Sequence, residues 1–199
     1  MSYDLKNIYR PNSATPGNAG GIRNRLILVK ADDVETFPER DTDLVTLKEN
    51  IAMKSGKYMH SLYVTTKTAV PKQEKVEGAN DDCGGFRVSV EFFHPGFEKP
   101  FQEFLAKFAT GFNGYVIFEH AKTGRFYLIG EPGNEAVLKT STGEWSGNMD
   151  GGTKGSTNTF EALQELPMAI YEGELALDPD ETEEPASPDG TGEEEEGGV

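Results

Sequence analysis

Residues 86–130 read FRVSVEFFHPGFEKPFQEFLAKFATGFNGYVIFEHAKTGRFYLIG. Phe86, Val88, Val90 and Phe92 alternate with Arg87, Ser89 and Glu91, the period-two signature of a half-buried strand. His94-Pro95-Gly96 reads as the turn that ends it. Pro100 suits the first turn of a helix, where its missing N–H costs nothing. Phe97, Phe101, Phe104, Leu105 and Phe108 then recur at helical spacing and form one apolar stripe, predicted to pack on a core. Glu98, Lys99, Gln102, Glu103 and Lys107 fall on the other face, with Glu103 and Lys107 spaced as an i,i+4 pair. Gly111 suits a C-terminal cap. Tyr115 to Phe118 is apolar on both faces, and Lys122-Thr123-Gly124 turns it back into Phe126 to Ile129. The expectation is a sheet carrying a single helix across one face. The stretch holds no catalytic constellation.

Composition bounds the rest. A chain of 199 residues predicts one main domain. The net charge of −15 is unevenly placed, because residues 178–199 hold ten acidic side chains and no basic one. The remaining 24 acidic and 19 basic residues leave the body near −5. This balance argues against ordinary nucleic-acid affinity, which needs Lys and Arg to displace phosphate counterions. It is compatible with a surface past which nucleic acid slides. Cys83 is the only cysteine, so no intrachain disulfide or cysteine-based zinc site is possible. Met1 to Lys6 lacks the blocks of a signal peptide, and no apolar run approaches the roughly 20 residues of a membrane helix. The expectation is a soluble protein kept in a cytosol until it assembles.

Outside the central stretch, residues 1–23 read as an N-terminal arm of Pro, Gly and Asn loop chemistry. Arg25 to Lys30 is a short apolar strand, and Lys57 to Thr68 a second, with Leu62 and Val64 facing one way and Tyr63 and Thr65 the other. Leu44, Val45, Leu47, Ile51 and Met53 fit either a strand or a helical turn. Ala69 to Gly85 is charged and contains Pro71; it is predicted to be a projecting loop or long hairpin tip. After Glu135 to Thr140, a turn-rich stretch is expected through Trp145 to Gly155. Thr157–Leu163 and Met168–Leu175 are expected to close the chain as a strand pair. Residues 24–177 would then be mainly β: an antiparallel β-sandwich or partly open barrel with one flanking amphipathic helix. Residues 178–199 are expected to be a disordered acidic tail.

The candidate sites are few. His60, His94 and His120 show no metalloenzyme spacing. Asn80-Asp81-Asp82 and Asn148-Met149-Asp150-Gly151-Gly152 offer oxygens in glycine-rich loops, but calcium loops need more carboxylates at fixed positions. The run Gly151 to Thr157 lacks phosphate-loop spacing and precedes a strand rather than a helix N-terminus. Nucleophile and dinucleotide motifs are missing, so no catalytic, cofactor-binding or metal residue is assigned and the chain is not expected to be an enzyme. Trp145 with Tyr127 or Tyr171 is the best available cluster for the rival reading, a monomeric β-sandwich module binding a small ligand or carbohydrate.

The order of these elements resembles the major tail tube proteins of long-tailed bacteriophages and the tube proteins of contractile injection systems. The helix Phe97 to Phe108, the loop Ala69 to Gly85 and the closing pair Gly155–Phe160 and Ala169–Gly173 carry the likeness, which covers about residues 22–175. The resemblance implies a virion structural protein assembled in the bacterial host cytoplasm. Its subunits would form homo-oligomeric, hexameric rings whose sheets join edge to edge, and the rings would stack into a tube through which DNA passes without specific binding. The arm and the 69–85 loop would contact neighbours, and Arg87, Ser89 and Glu91 would face the lumen or the outside. A head–tail connector or tail terminator ring is the alternative within the same class.

Overall fold

A computed structural model describes residues 21–78, 84–108, 111–146 and 152–179. Its strands, in chain order, are β1 (Ile22–Lys30), β2 (Val34–Thr36), β3 (Thr46–Leu47), β4 (Ala52–Met53), β5 (His60–Tyr63), β6 (Val70–Glu77) and β7 (Gly84–Pro95). The helix α1 (Lys99–Phe108) follows, then β8 (Gly114–His120), β9 (Phe126–Ile129), β10 (Val137–Trp145), β11 (Lys154–Gln164) and β12 (Ala169–Tyr171). Among the described residues the chain is mainly β with one α-helix, as its sequence pattern predicts.

The strands divide into a six-stranded sheet of order β3-β12-β9-β8-β1-β5, a four-stranded sheet of order β10-β11-β7-β6, and the small ribbon β2-β4. Pairing is antiparallel apart from β12 on β3. The two large sheets face each other across one core. Leu26, Leu28, Leu62, Val116, Phe118 and Ile129 come from the first; Val88, Val90, Phe92, Phe160 and Ala162 come from the second. Phe160 sits at its centre, with ring centroids 5.6 Å from Phe92, 5.2 Å from Phe112 and 6.5 Å from Phe104 of α1.

The six-stranded sheet is buried on both faces, which is why β1 and β8 read as unbroken apolar runs. Ile27, Val29, Tyr115, Ile117, Leu128 and Tyr171 point away from the shared core into a second one. Leu47, Ile51 and Met59, with Leu175 and Leu177, cover them. Residues 31–54 supply part of this cover as a 3₁₀ turn at Ala31–Asp33 and three strands of two or three residues; Leu47 and Met53 lie in strands, as one of the two sequence readings had it, and no helical turn forms at Leu44 to Met53.

Several expectations change. β7 and the β8–β9 hairpin belong to different sheets, and α1 connects them rather than lying over one sheet. Phe101 is buried, and Phe104, Leu105 and Phe108 pack on the shared core, whereas Phe97 lies before the helix and stacks on Trp145. Glu103 pairs with Lys99, one turn earlier, at 3.7 Å. Gly111 has φ +130° and donates to the Phe108 carbonyl, as a helix-ending glycine should. His94 lies within β7, not in a turn.

Of the two readings of Ala69 to Gly85, the long hairpin fits better than the projecting loop: residues 70–77 form β6, in register with β7 from Val70↔Glu91 to Glu77↔Gly84. Likewise β10 runs through Trp145, where turns were expected. β11 and β12 do not pair with each other: both edges of β11 are taken, by β10 and β7, so the chain crosses at residues 165–168 and β12 joins β9 and β3. The closing hairpin that the resemblance implies is therefore not formed. β1 begins at Ile22, two residues before the expected domain start. Residues 1–20, Asn80-Asp81-Asp82 and Cys83, Asn148 to Gly151, and the tail from residue 180 lie outside the described residues.

Candidate assembly surface

Among the described residues, the four-stranded sheet has the longest strands at its edges. β7 and β11 form its centre, and β6 and β10 are its two edges. Among the described residues, no strand pairs with the outer side of either edge. β10 is nine residues long and consists, from Lys139 onward, of exposed positions. β6 is eight residues long, with Pro71, Lys72 and Lys75 of the kind that blunts a lone edge.

One face of this sheet is core and the other is in water. Strand alternation puts Arg87, Ser89 and Glu91 of β7 on the watered face with Glu161 and Thr159 of β11. Four cation–carboxylate contacts cross it: Arg87–Glu74 at 3.3 Å, Arg87–Glu161 at 3.9 Å, Lys139–Glu161 at 3.5 Å and Lys72–Glu91 at 3.9 Å. Apart from Glu161, at 20% exposure, their side chains are largely exposed, so each contact contributes about 0–1 kcal/mol. Their consequence is electrostatic: each of these cations already lies beside a carboxylate. Thr140, Thr142, Thr157 and Thr159 continue the face toward the end of the β10–β11 hairpin.

The two ends of this sheet differ. Gly155 lies opposite Pro95 and Gln164 opposite Phe86, so Trp145 and Lys154 lie at one end of the sheet and Glu77 and Gly84 at the other. At the first end, Trp145 faces Lys154 across the hairpin and is 73% exposed. Phe97 stacks on its ring at 5.2 Å, and the Lys154 ammonium lies 5.2 Å from the ring centroid, a cation–π contact. Gly143 makes room: a Cβ there would come within 3.0 Å of the Phe97 ring. At the second end, Val76, Phe86 and Leu163 wall a groove of about 310 Å³, with Gly84 and Gly85 in its lining and Glu165 at its side. Leu163 is 55% exposed there.

The histidines are dispersed between two places. His60 and His94 line one groove of about 290 Å³ with Tyr63, Glu98 and Phe101, between β5 and the start of α1. His94 stacks on Phe101 at 3.8 Å and its Nδ1 lies 2.9 Å from the Tyr63 carbonyl, so that nitrogen carries the proton. His120 ends β8, where its Nδ1 accepts the Thr123 amide at 3.2 Å and fixes the turn before β9. Among the described residues, no group of three or more His, Cys, Asp or Glu is placed to hold a metal ion.

The Trp145 cluster expected from sequence is not assembled. Tyr171 is buried in the second core, its hydroxyl donating to the Glu174 carbonyl at 2.9 Å and accepting the Ile51 amide at 3.2 Å. Burial raises its pKa. Tyr127 stacks on Phe118. Sequence reasoning missed the true neighbours of Trp145, Phe97 and Lys154. The available signal was symmetry: Thr140 and Thr142 mirror Thr157 and Thr159 about the midpoint of the chain between β10 and β11, a register that sets Trp145 against Lys154. No helix among the described residues is long and apolar enough to cross a membrane. No family model matches the chain, and no curated protein and no solved structure matches it.

Proposed function

We propose that this chain is a virion structural protein of the tail-tube kind, whose copies form rings that stack into a hollow conduit for DNA. The observation that carries the reading is the four-stranded sheet, whose two long edge strands are open among the described residues. Its strands alternate in direction and are even in number. A copy related by rotation therefore presents its β10 antiparallel to β6 of its neighbour, and the sheet continues across the joint without a change of sense. Such a heterologous contact closes into a ring when the rotation divides a full turn. The remaining architecture supports this: the other sheet packs on one face, and among the described residues nothing covers the watered face, which can line an interior.

On this reading the wall of the interior carries both signs of charge. Arg87, Lys139 and Lys72 lie within 4 Å of Glu74, Glu161 and Glu91, so these cations have little charge left to release phosphate counterions. The hydroxyls of Thr140, Thr142, Thr157 and Thr159 complete a polar, weakly adhesive wall. DNA would pass rather than bind.

The test is negative-stain microscopy of the purified chain over a concentration series. Open-ended hollow stacks are the expected result. Closed rings that never stack would favour a connector or terminator. A particle that stays monomeric at high concentration would refute the proposal.

A further inference from the structure

We infer that Trp145 is the axial anchor of self-assembly: it seats in the Val76–Phe86–Leu163 groove of a second copy of this chain, joining the copies head to tail. The inference rests on the ring-and-tube reading and names the contact that would stack it.

Three observations point to this occupant. First, knob and groove lie at opposite ends of one sheet, about 30 Å apart along β7 at the usual strand rise. Translation along the strands brings the end of one copy onto the start of the next, and a heterologous contact of that kind propagates without limit. Second, the chemistries match. Trp145 is the most exposed of the large apolar side chains among the described residues, and the groove offers apolar walls including Leu163, itself 55% exposed. A volume of about 310 Å³ accepts a side chain of indole size. Third, the charges are complementary. Lys154 sits over the indole at one end, while Glu165 flanks the groove and Glu77 closes β6 beside Gly84 at the other. Glu144, the neighbour of Trp145, lies on the watered face that Leu163 and Val76 share, so the charge match is carried by Lys154. Phe97 and Lys154 hold the indole before contact, so docking loses little side-chain freedom.

Trp145 is the chain's only tryptophan, so its fluorescence reads this contact alone. As the full-length chain is concentrated into stacks, its emission should shift to the blue and become shielded from acrylamide. Leu163→Glu changes a surface position of the groove and keeps the reporter. It should retain the wild-type unfolding midpoint, leave Trp145 quenchable, and raise the concentration needed for stacking by about 30-fold, as loss of a central anchor does. Trp145→Ala should stack as poorly. Mixed with Leu163→Glu it should form two-layer assemblies only, since each variant keeps the half that the other lacks. Stacks that form with Trp145 still fully quenchable, or a Leu163→Glu chain that stacks like wild type, would overturn the inference while leaving the ring reading intact. A chain monomeric at every concentration would overturn both.

Discussion

Arg40 is one of the side chains that hold the crossover from the four-stranded to the six-stranded sheet, and its removal gives a sharp test of what stabilises this fold. Arg40 donates through Nη1 to the Leu44 carbonyl at 3.0 Å and the Pro167 carbonyl at 2.7 Å. Its Nη2 lies 3.6 Å from Glu131 Oε2. Glu131 Oε1 accepts the Glu165 amide and the Asn134 side-chain amide. Both charged side chains are mostly out of water, at 11% and 14% exposure. The gross attraction at 3.6 Å is about 4–5 kcal/mol at an effective dielectric of about 20, but desolvation of the two ions offsets most of it. Burial indeed lowers the Arg40 pKa, against the opposing pull of Glu131 and Asp43. The two bonds to backbone carbonyls, each about 1.5–3 kcal/mol for a charged donor, therefore stabilise the crossover more than the ion pair does. Arg40→Met should cost about 3–5 kcal/mol in urea unfolding at low protein concentration. Glu131→Gln keeps the acceptor for Glu165 and should cost about 1–2 kcal/mol, and the double-mutant cycle should give a coupling of about 1 kcal/mol. Equal losses in both single variants and in the double variant would mean that the ion pair is the whole effect, and the reasoning would fail.

Three further outcomes follow from the same geometry. Phe160→Ala empties the centre of the shared core and should cost about 3–5 kcal/mol, or roughly 6–20 °C in midpoint for a chain of this size; a loss below about 1 kcal/mol would show that the sheets collapse into the space. Gly114→Ala would drive a Cβ into the Val29 carbonyl oxygen across the β1–β8 pair, so soluble expression and β1 amide protection should fall together; a well-folded variant would refute this close approach. Asp43 accepts the Thr46 hydroxyl and the amides of Thr46 and Val45, which hold its carboxyl down to about 2 from 3.8. A depressed folded-state value means that the stabilisation is full above about pH 4 and is lost as pH falls through about 2. Amide signals of Val45 and Thr46 should move in that window by NMR, and in Asp43→Asn they should not.

Local sequence was enough to mark most of the strands, the helix and the apolar faces. Period-two alternation in β7 and β11, a helical stripe from Phe101 to Phe108 and the turn at Gly124 are set by bond geometry and neighbouring side chains. Unbroken apolar runs in β1 and β8 are the local trace of burial on both faces. Partnership between strands was left to the tertiary fold. Alternation says that one face of a strand is buried and says nothing about which strand lies beside it, so β11 and β12 looked like a pair and ended in different sheets. The same gap half hid β6: its charged alternation, read without β7 alongside, fits a loop as well as a hairpin. It also hid the surface cluster, because Phe97 meets Trp145 only once β7 and β10 lie in the same sheet on either side of β11. Side-chain contacts between segments far apart in sequence depend on how strands pair and how the two sheets stack. That stacking is settled by the shared core around Phe160, not by any local pattern.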